Sequence, residues 1–347
     1  MDLTEIFSFE RLMAAHKLCR LSKQHKRGAI MFEIELGRNL VKLADELAQK
    51  KYKLGKYRQF TLYDPKKRQI EALPYKDRVV LMCFCKNVLE PVLERRLIYD
   101  NAASRLGKGS GFAVKRLHEF MSKLFINHGG NDIYFLKCDI AKYFQNINHE
   151  ILLEKLKKCG FSEDEMWFLR LVVESHGETG VPLGNQTSQW FALLYLDEID
   201  RLAKERLRAR YYVRYMDDFI LLSENKAFLQ HCREEIARCC EQKLKLRLND
   251  KTQIGKLSSG VDFLGYNHQL TSSGKIVKKL RASSRKRQQR YIKCIARCYL
   301  NGILDDDYLE VRKNAFKAHL LGTRDWLRVK RRFAALKRRK KLLDTTF

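Results

Sequence analysis

Hydrophobic residues recur at two different periods along the chain, and these periods separate helical from strand-forming segments. In residues 1–55 the apolar positions follow helical spacing, with Ile6, Phe9 and Leu12 on one face, which predicts amphipathic helices. The polar, basic stretch 22–27 is predicted to be a loop between them. The same spacing predicts further helices over residues 76–97, 114–127, 149–158, 162–175, 185–210 and 226–242.

Runs of β-branched and aromatic residues predict strands between these helices. Residues 57–73 alternate around a central basic cluster and Pro65, which predicts a β-hairpin with the cluster at or near its tip. The segment 133–140, IYFLKCDI, is typical of a buried strand and ends on Asp139. Shorter strands are predicted at residues 244–248 and 261–266, the second one bent at Gly265.

The segment 211–222, YYVRYMDDFILL, predicts two strands that are reversed by a tight turn at Met216 and Asp217. Such a hairpin lifts the adjacent carboxylates of Asp217 and Asp218 out of a sheet. Their mutual repulsion favours a bound cation. Judged alone, two acids between strands are also typical of an exposed turn, so the interpretation depends on further acids elsewhere.

The charge of the chain indicates its class of partner. A net charge of +28 over 347 residues is more than solubility requires and indicates a polyanion, most simply nucleic acid. Residues 274–347 hold 23 Lys and Arg against 6 Asp and Glu, so this segment carries +17 of the total. Apolar positions within it still recur at helical spacing, which predicts folded basic helices and not a loose arm.

Cysteine usage and hydropathy bear on the compartment. Ten cysteines are scattered without a paired CxxC motif or a histidine at ligand spacing, so we expect reduced thiols of a cytosolic protein. No apolar run reaches the roughly 18 residues that a membrane span requires. The first residues are charged and amphipathic, unlike a signal peptide. We therefore expect a cytoplasmic protein with no membrane partner.

Three acids in apolar surroundings suggest phosphoryl-transfer chemistry. Transfer from a nucleoside triphosphate uses two divalent ions, roughly 3.5–4 Å apart, that clamp the attacking and leaving oxygens. Mg²⁺ is held by a few carboxylates together with the substrate's phosphates. Asp139 at a strand end and Asp217 with Asp218 on a hairpin provide such carboxylates, provided that the two strands are neighbours.

The order of five short segments resembles the sequential palm motifs of reverse transcriptases. The segments are DIAKYFQNI, GVPLGNQTSQ, YMDD, KTQI and FLGY. The resemblance implies an α+β right-hand polymerase fold with fingers, a palm of antiparallel sheet plus helices, and a helical thumb. It implies an N-terminal helical extension over residues 1–55, fingers and palm over 56–270, and a basic helical thumb over 271–347.

The resemblance also implies roles for individual residues. Asp139 and Asp217 would bind two Mg²⁺ ions, for which Mn²⁺ is a substitute, with Asp218 as a supporting acid. The carbonyl oxygen of Ile140 would add a metal ligand. The segment KTQI, after the YMDD hairpin, contains Lys251, a candidate general acid for the pyrophosphate leaving group. An ordinary surface lysine is the alternative for Lys251.

Further positions match the nucleotide and primer sites of the family. Phe144 matches the steric gate that excludes a ribose 2′-hydroxyl, and a core aromatic is the alternative. Lys66 and Arg68 match fingers residues that hold the triphosphate, where charge-assisted bonds favour basic side chains. The remaining nucleotide-site positions are Leu183, Gly184 and Gln189, and the primer grip matches Phe263, Leu264, Gly265 and Tyr266.

The second segment departs from the commonest form of its motif. Leu183 replaces the usual glutamine and Gln189 replaces the usual proline. This form resembles the enzymes of bacterial diversity-generating retroelements, which make adenine-mutagenised cDNA with a small accessory protein. A retron or phage-defence enzyme with a structured noncoding RNA is the second choice. The expected partners are an RNA template, a DNA or RNA primer and dNTPs.

Two functions of other classes stay open on the sequence. A non-catalytic nucleic-acid scaffold of polymerase shape would need none of the three acids. An RNA-templated RNA polymerase or a terminal transferase would differ from the leading interpretation in its nucleotide choice or its template requirement. Primer extension with dNTPs and NTPs separates these possibilities.

Overall fold

The computed structural model describes residues 1–63, 67–320 and 323–345, which form α-helices and small β-sheets. The helices are α1 Leu3–Ile6, α2 Phe9–Arg20, α3 Arg27–Ile34, α4 Leu36–Ala48, α5 Tyr75–Phe84, α6 Glu90–Glu94, α7 Ser110–His128, α8 His149–Lys157, α9 Glu163–Glu174, α10 Gln186–Tyr195, α11 Asp197–Arg201, α12 Lys226–Leu244, α13 Ala282–Leu300, α14 Asp306–Leu320 and α15 Arg324–Thr345. The strands are β1 Arg58–Leu62, β2 Arg68–Ala72, β3 Tyr134–Cys138, β4 Tyr211–Tyr215, β5 Asp218–Ser223, β6 Gln253–Lys256, β7 Val261–Phe263, β8 Tyr266–Leu270 and β9 Ile276–Leu280. The α+β class predicted from the sequence is confirmed.

Local capping explains where several helices begin. The Asn148 side chain accepts a hydrogen bond from the Ile151 N–H and starts α8. Ser162 and Glu165 form a reciprocal capping box at the start of α9, which satisfies two N–H groups that a helix end leaves free. Short π-helical turns follow α5 at Cys85–Leu89 and follow α11 at Leu202–Arg206.

The strands form three sheets among the described residues. Strands β1 and β2 make an antiparallel hairpin in which Arg58 faces Ala72 and Leu62 faces Arg68, as predicted. A four-stranded sheet has the order β4-β5-β3-β6. A three-stranded antiparallel sheet has the order β7-β8-β9. In the four-stranded sheet, β5 and β3 are neighbours although more than seventy residues separate them in the chain.

The structure corrects two strand predictions. Residues 244–248 form no strand, because Leu244 still belongs to α12 and Leu248 makes only an isolated bridge to Ile140. Residues 261–266 are not one bent strand, because they form β7, a two-residue turn and the first residue of β8. The region after Gly274 also contains β9, which the helical pattern of that region did not predict.

The chain divides into two compact units. The first comprises Met1–Ala113, Lys137–Leu221 and Gln230–Gln253. Its core includes large side chains that are almost completely buried, among them Trp190, Phe191, Tyr195, Tyr212 and Phe219. Helix α10 contributes three of these residues, and its apolar run from Trp190 onward is buried on every side, as predicted.

The second unit comprises Val114–Leu136, Leu222–Leu229 and Ile254–Phe347. Its core joins the helices α13, α14 and α15 to the β7-β8-β9 sheet. The buried members are Tyr266, Leu280, Ile292, Ile295, Tyr299, Leu309, Leu320, Val329 and Phe333. The basic faces of these helices remain outside this core, so the cationic residues are carried on a packed scaffold.

The cysteines are free thiols, as predicted. Seven of the ten are buried, Cys159 and Cys298 are partly buried, and Cys294 is exposed. Burial raises the pKa of the Cys83 thiol to about 12 and that of the Cys19 thiol to about 11. Separately, none of the described helices combines the length and apolar character needed to cross a bilayer.

Candidate active site

Asp139 follows directly after β3, where the chain still pairs with a neighbouring segment. The Asn249 N–H donates to the Asp139 carbonyl at 2.7 Å, and the Ala141 N–H donates to the Arg247 carbonyl at 3.0 Å. Ile140 is therefore the centre of a bridge to Leu248. In an antiparallel bridge of this kind, the N–H and C=O of the central residue point away from its partner. The Ile140 carbonyl is thus not used by the bridge.

Asp217 and Asp218 lie at the turn between β4 and β5. Met216 has a φ of +56°, a left-handed conformation that non-glycine residues rarely adopt. The turn reverses the chain after Tyr215, and Asp218 is the first residue of β5. Because β5 lies next to β3 in the sheet, the turn brings its two acids near the end of the strand that leads to Asp139.

The three carboxylates interact electrostatically. Burial raises the pKa of Asp217, and the negative charge of Asp139 raises it further, while the positive charges of Arg68 and Arg214 lower it. Burial also raises the pKa of Asp218 to about 7; there Lys137 opposes the shift and the charges of Asp139 and Asp217 add to it. The fold therefore places three carboxyl groups close together, although burial and their mutual repulsion both disfavour the charged form.

Lys137 is a neighbour of this cluster that the sequence analysis did not select. Its Nζ atom lies 3.5 Å from Asp218 Oδ1. That oxygen is buried and has no hydrogen-bond donor within bonding geometry. Lys137 precedes Asp139 by two residues, so both side chains lie on one face of the strand. A lysine in an otherwise apolar strand was the signal that could have identified it.

The site suits divalent cations that bring additional ligands. Among the described residues, no three His, Cys, Asp or Glu side chains form a ready-made metal cluster. Mg²⁺ usually takes one or two carboxylates together with waters and substrate phosphates, not a complete protein cage. The clustered charges of Asp139, Asp217 and Asp218 and the unbonded buried oxygen of Asp218 fit that requirement.

A buried arginine lies beneath the turn and was also missed. Arg214 forms an ion pair with Asp200, and neither side chain is exposed to solvent. Its Nη1 atom donates to the Met216 carbonyl at 3.1 Å. An arginine in the interior of the apolar segment YYVRY was the signal for a buried charge pair, but no local pattern indicates its partner.

The hairpin of β1 and β2 brings one described basic residue, Arg68, near the site. Arg68 is exposed at the start of β2, and its charge lowers the pKa of Asp217. Lys66, the other predicted triphosphate ligand, lies outside the described residues. At the other end of β2, the His176 imidazole pairs with the Glu71 carboxylate. Arg68 and the acidic turn are therefore close enough to interact electrostatically.

Gly184 and Asn185 contact the base of this hairpin. A Cβ atom at Gly184 would overlap the carbonyl oxygen of Glu71, so only glycine permits this close approach. The Asn185 Nδ2 atom donates to the Tyr57 hydroxyl at 2.9 Å, and the Tyr57 hydroxyl lies 3.0 Å from the Ser175 hydroxyl. The loop 177–184 is thereby fixed to the hairpin, a connection that the sequence analysis did not predict.

Phe144 belongs to a short 3₁₀ turn, Tyr143–Gln145, that follows Asp139. Its carbonyl accepts the Val181 N–H at 2.8 Å, and its half-buried ring makes an edge contact with the Tyr143 ring. Tyr143 is buried, and its hydroxyl donates to the Ala192 carbonyl. These contacts hold Phe144 without enclosing it, so its ring is partly accessible, as a gate requires.

The other two predicted nucleotide-site residues lie in or after the loop before α10, and the candidate general acid lies after α12. Leu183 is half-buried in the loop, and Gln189 in α10 accepts a hydrogen bond from Ser104 at 3.4 Å. Lys251 is exposed, and its N–H donates to the Asn249 side chain at 3.1 Å. Lys251 therefore belongs to the segment that bridges the end of β3, and its side chain is exposed.

The four predicted primer-grip residues form a tight hairpin in the second unit. Phe263 and Tyr266 face each other in the register of β7 and β8. Leu264 and Gly265 between them have φ values of +48° and +88°, as a type I′ turn requires. The Arg281 N–H donates to the Gly265 carbonyl at 3.1 Å, which fixes the turn to the start of α13.

Comparison with known protein families gives one match. The family model described as "Reverse transcriptase (RNA-dependent DNA polymerase)" matches residues 48–268, which is more than half of the chain. A search of curated proteins gives no match.

Solved structures give weak matches with low sequence identity. Apo telomerase from Candida tropicalis has a TM-score of 0.51 and 15% identity, over 67% of this chain and 49% of the telomerase chain. Telomerase from Candida albicans with a fragment of telomeric RNA has a TM-score of 0.49 and 14% identity, over 76% of this chain and 55% of the other. The chain thus spans about half the length of the structures that it matches.

Proposed function

The chain belongs to the reverse transcriptase family, and from that membership we propose that it is an RNA-directed DNA polymerase that copies an RNA template into cDNA. The observation that carries the proposal is the electrostatic coupling of Asp139, Asp217 and Asp218 at adjacent strand ends. Nothing in the packing of the sheet requires three acids there, and bringing them together is unfavourable without a cation.

Each acid has a proposed role in nucleotidyl transfer. Asp139, Asp217 and the carbonyl of Ile140 are the proposed ligands of two Mg²⁺ ions, and Asp218 supports them. When bound, such ions would stabilise the charge on the attacking and leaving oxygens. The primer 3′-hydroxyl would release its proton to water and bond to the α-phosphorus of the dNTP, while the bond between that phosphorus and pyrophosphate would break. Lys251 is the proposed donor of a proton to that leaving group.

The nucleotide and the nucleic acid would contact the surrounding residues. Arg68 and Lys66 are the proposed triphosphate ligands, and Phe144 is the proposed gate against NTPs. Leu183, Gly184 and Gln189 would lie near the nascent base pair. The hairpin Phe263–Tyr266 is the proposed primer grip, and the basic helices after residue 271 would bind the template–primer duplex through its phosphates.

Primer extension tests the proposed activity. Wild-type protein with an oligo(dT) primer on poly(rA), Mg²⁺ and dTTP is expected to extend the primer. Asp217→Asn is expected to lower the rate by about 100-fold or more, because several kcal/mol of charge stabilisation are lost, while primer–template affinity is retained. Glu198→Gln, a substitution of an acid outside the cluster, is the control. Extension by Asp217→Asn at the wild-type rate would refute the metal assignment.

For the biological role, we propose a bacterial diversity-generating retroelement, with a small accessory protein on the basic surface. The support is Leu183 in place of a glutamine amide and Gln189 in place of proline. An aliphatic side chain there removes a hydrogen-bonding group near the nucleotide, which would relax base selection. A retron or phage-defence role with a structured noncoding RNA is the alternative, because the segment 100–117 is less typical of the diversity-generating enzymes.

Error analysis of the cDNA separates these two roles. A retroelement enzyme of the mutagenic type is expected to misincorporate mainly opposite template adenines, and Leu183→Gln is expected to reduce those errors. Leu183→Met, which keeps an apolar side chain of similar volume, is the matched control. Equal error rates opposite all four template bases would argue for the retron or defence alternative.

A further inference from the structure

Arg214 is a charged residue in the interior of a buried strand, and its charge is fully paired. Arg214 Nε donates to Asp200 Oδ1 at 2.7 Å, and Nη2 donates to Oδ2 at 2.6 Å. Tyr212 donates to the same Oδ1 atom at 2.6 Å. Both charged side chains are completely buried. An apolar pair of similar volume is often at least as stable as a buried ion pair, so stability alone does not account for the arginine.

The N–H groups of Arg214 that are not bonded to Asp200 donate to two other elements. Nη2 also donates to the Leu193 carbonyl in α10 at 3.1 Å. Nη1 donates to the Met216 carbonyl in the turn at 3.1 Å. One planar guanidinium therefore joins α10, α11 and the acidic turn. A lysine cannot reproduce this arrangement, because its three donors radiate from a single atom.

The bond to Met216 acts on the peptide group that leads into Asp217. Met216 is held in the left-handed region at φ +56°, which an unconstrained methionine would leave. Fixing its carbonyl fixes the plane of the Met216–Asp217 peptide, and that plane sets the direction in which the Asp217 side chain leaves the backbone. The backbone of Arg214 is fixed as well, because its N–H donates to Asp100 and its carbonyl accepts from Ala102.

We propose that Arg214 is a positioning residue for the polymerase reaction: it locks the turn so that the carboxylate of Asp217 points to the site shared with Asp139. The inference rests on the proposed function for its kinetic consequence, but its structural consequence is independent of catalysis. Arg214 does not touch the substrate. Its contribution is to remove the orientational freedom of the acid, and a misplacement of about 1 Å can cost about 100-fold in rate.

The first test is Arg214→Lys, which keeps the positive charge but removes the planar guanidinium with its several N–H donors. At saturating dNTP, the extension rate is expected to fall about 10- to 100-fold, with template–primer affinity within about twofold of wild type. The Mg²⁺ concentration for half-maximal rate is expected to rise. Arg201→Lys is the matched control: Arg201 pairs with Asp197 on the same helix and makes no bond to the turn. A wild-type rate and Mg²⁺ requirement in Arg214→Lys would overturn the inference.

A second variant separates positioning from folding. Arg214→Met with Asp200→Leu and Tyr212→Phe replaces the buried polar network by apolar side chains of similar size, so the melting temperature is expected to equal or exceed that of Arg214→Lys. The slow rate is expected to persist, because the Met216 carbonyl still lacks its donor. Recovery of the wild-type rate in this stable triple variant would overturn the proposal.

A third measurement does not depend on activity. Mn²⁺ binding to the free protein, followed by electron paramagnetic resonance, is expected to weaken at least about threefold in Arg214→Lys and in the triple variant, and not in Arg201→Lys. If the wild-type protein does not extend primers, the proposed function fails, and this titration still decides the role of Arg214. Equal Mn²⁺ affinity in the wild type and both Arg214 variants would overturn it.

Discussion

The backbone of Gly184 lies directly on the backbone of Glu71, with no space for a side chain between them. A Cβ atom at Gly184 would overlap the Glu71 carbonyl oxygen and would come within 3.5 Å of the Ala72 Cα atom. Gly184 belongs to the loop before α10, and Glu71 belongs to β2, which begins at Arg68. A residue at the predicted nucleotide site thus sets the position of the hairpin that carries a proposed triphosphate ligand.

Gly184→Ala is therefore expected to disturb the hairpin. Overpacking of this kind costs about 1–3 kcal/mol, and we expect a lower free energy of unfolding together with a higher KM for dNTP. Denaturant unfolding and steady-state extension measure the two effects. Gly37→Ala is the control, because a Cβ there meets no atom within 4 Å and a helical alanine is favourable. Equal effects of the two substitutions would contradict the assignment.

Arg68→Ala is expected to raise the KM for dNTP about tenfold or more, because a charge-assisted bond to phosphate contributes roughly 1.5–3 kcal/mol. The rate at saturating dNTP should change less. Arg58→Ala, on the opposite strand of the same hairpin, removes an equal charge at the other end of the hairpin and serves as the control. A KM that depends equally on the two arginines would indicate a general charge effect and not a specific contact.

Phe144→Ala is expected to increase the use of NTPs relative to dNTPs, because a smaller side chain leaves room for the ribose 2′-hydroxyl. The measurement is the ratio of kcat/KM for the two nucleotide types on one template. Tyr143→Phe is the control, since it removes only a hydroxyl that donates to the Ala192 carbonyl. If Phe144→Ala loses stability without changing the ratio, Phe144 is a core aromatic.

His118 predicts a pH dependence of stability in the second unit. Burial, followed by the charge of Lys278, lowers the pKa of His118 from 6.5 to about 4. The unfolded chain therefore binds a proton more readily than the folded one between these values. The stability that neutral His118 provides is complete above pH 6.5 and is lost as the pH falls toward 4, by roughly 2–3 kcal/mol.

Unfolding free energies of wild type and His118→Gln across pH 4–7 measure this contribution. Glutamine keeps a side-chain amide that can form a hydrogen bond with the His268 ring, whose Nδ1 atom lies 2.8 Å from His118 Nε2, but it does not titrate. The wild-type curve is expected to fall more steeply with decreasing pH than the variant curve. Parallel curves would exclude His118 as the source.

Much of the fold follows from local patterns in the sequence. Helical spacing predicted most helices, and the apolar runs around Asp217 and Asp218 predicted a hairpin with its turn at Met216. The predicted polymerase fold is confirmed by the family match and by the likeness to apo telomerase. These successes share one cause: each signal lies within a short segment, where period and turn chemistry are sufficient.

The failures arise where the outcome depends on distant residues or on an unusual turn. Leu264 is not a residue that signals a left-handed turn, so the sequence predicts one strand where β7 and β8 form a hairpin. Residues 244–248 alternate like a strand. However, Leu244 belongs to α12, and Leu248 pairs with Ile140 only in an isolated bridge. The partnership of Arg214 with Asp200 links residues on separate elements, and no local pattern specifies it.

Placement of the predicted acids also required the structure. Asp139 and Asp217 were identified from the sequence as acids beside apolar, strand-forming segments. Their proximity, however, follows from the strand order β4-β5-β3-β6. That order is a property of long-range pairing, which periodicity does not encode. The sequence therefore selected the candidate acids, and the sheet topology supplies the reason that they lie near one another.

The distribution of the thiols makes the protein suitable for site-directed labelling. Only the thiolate form attacks a maleimide, and a thiol that is buried with a raised pKa stays protonated and inaccessible. Seven of the ten cysteines are buried, whereas Cys294 is exposed on α13. A fluorophore added at neutral pH should therefore attach preferentially to that basic helix, where it could report the arrival of a nucleic-acid duplex without any engineered cysteine.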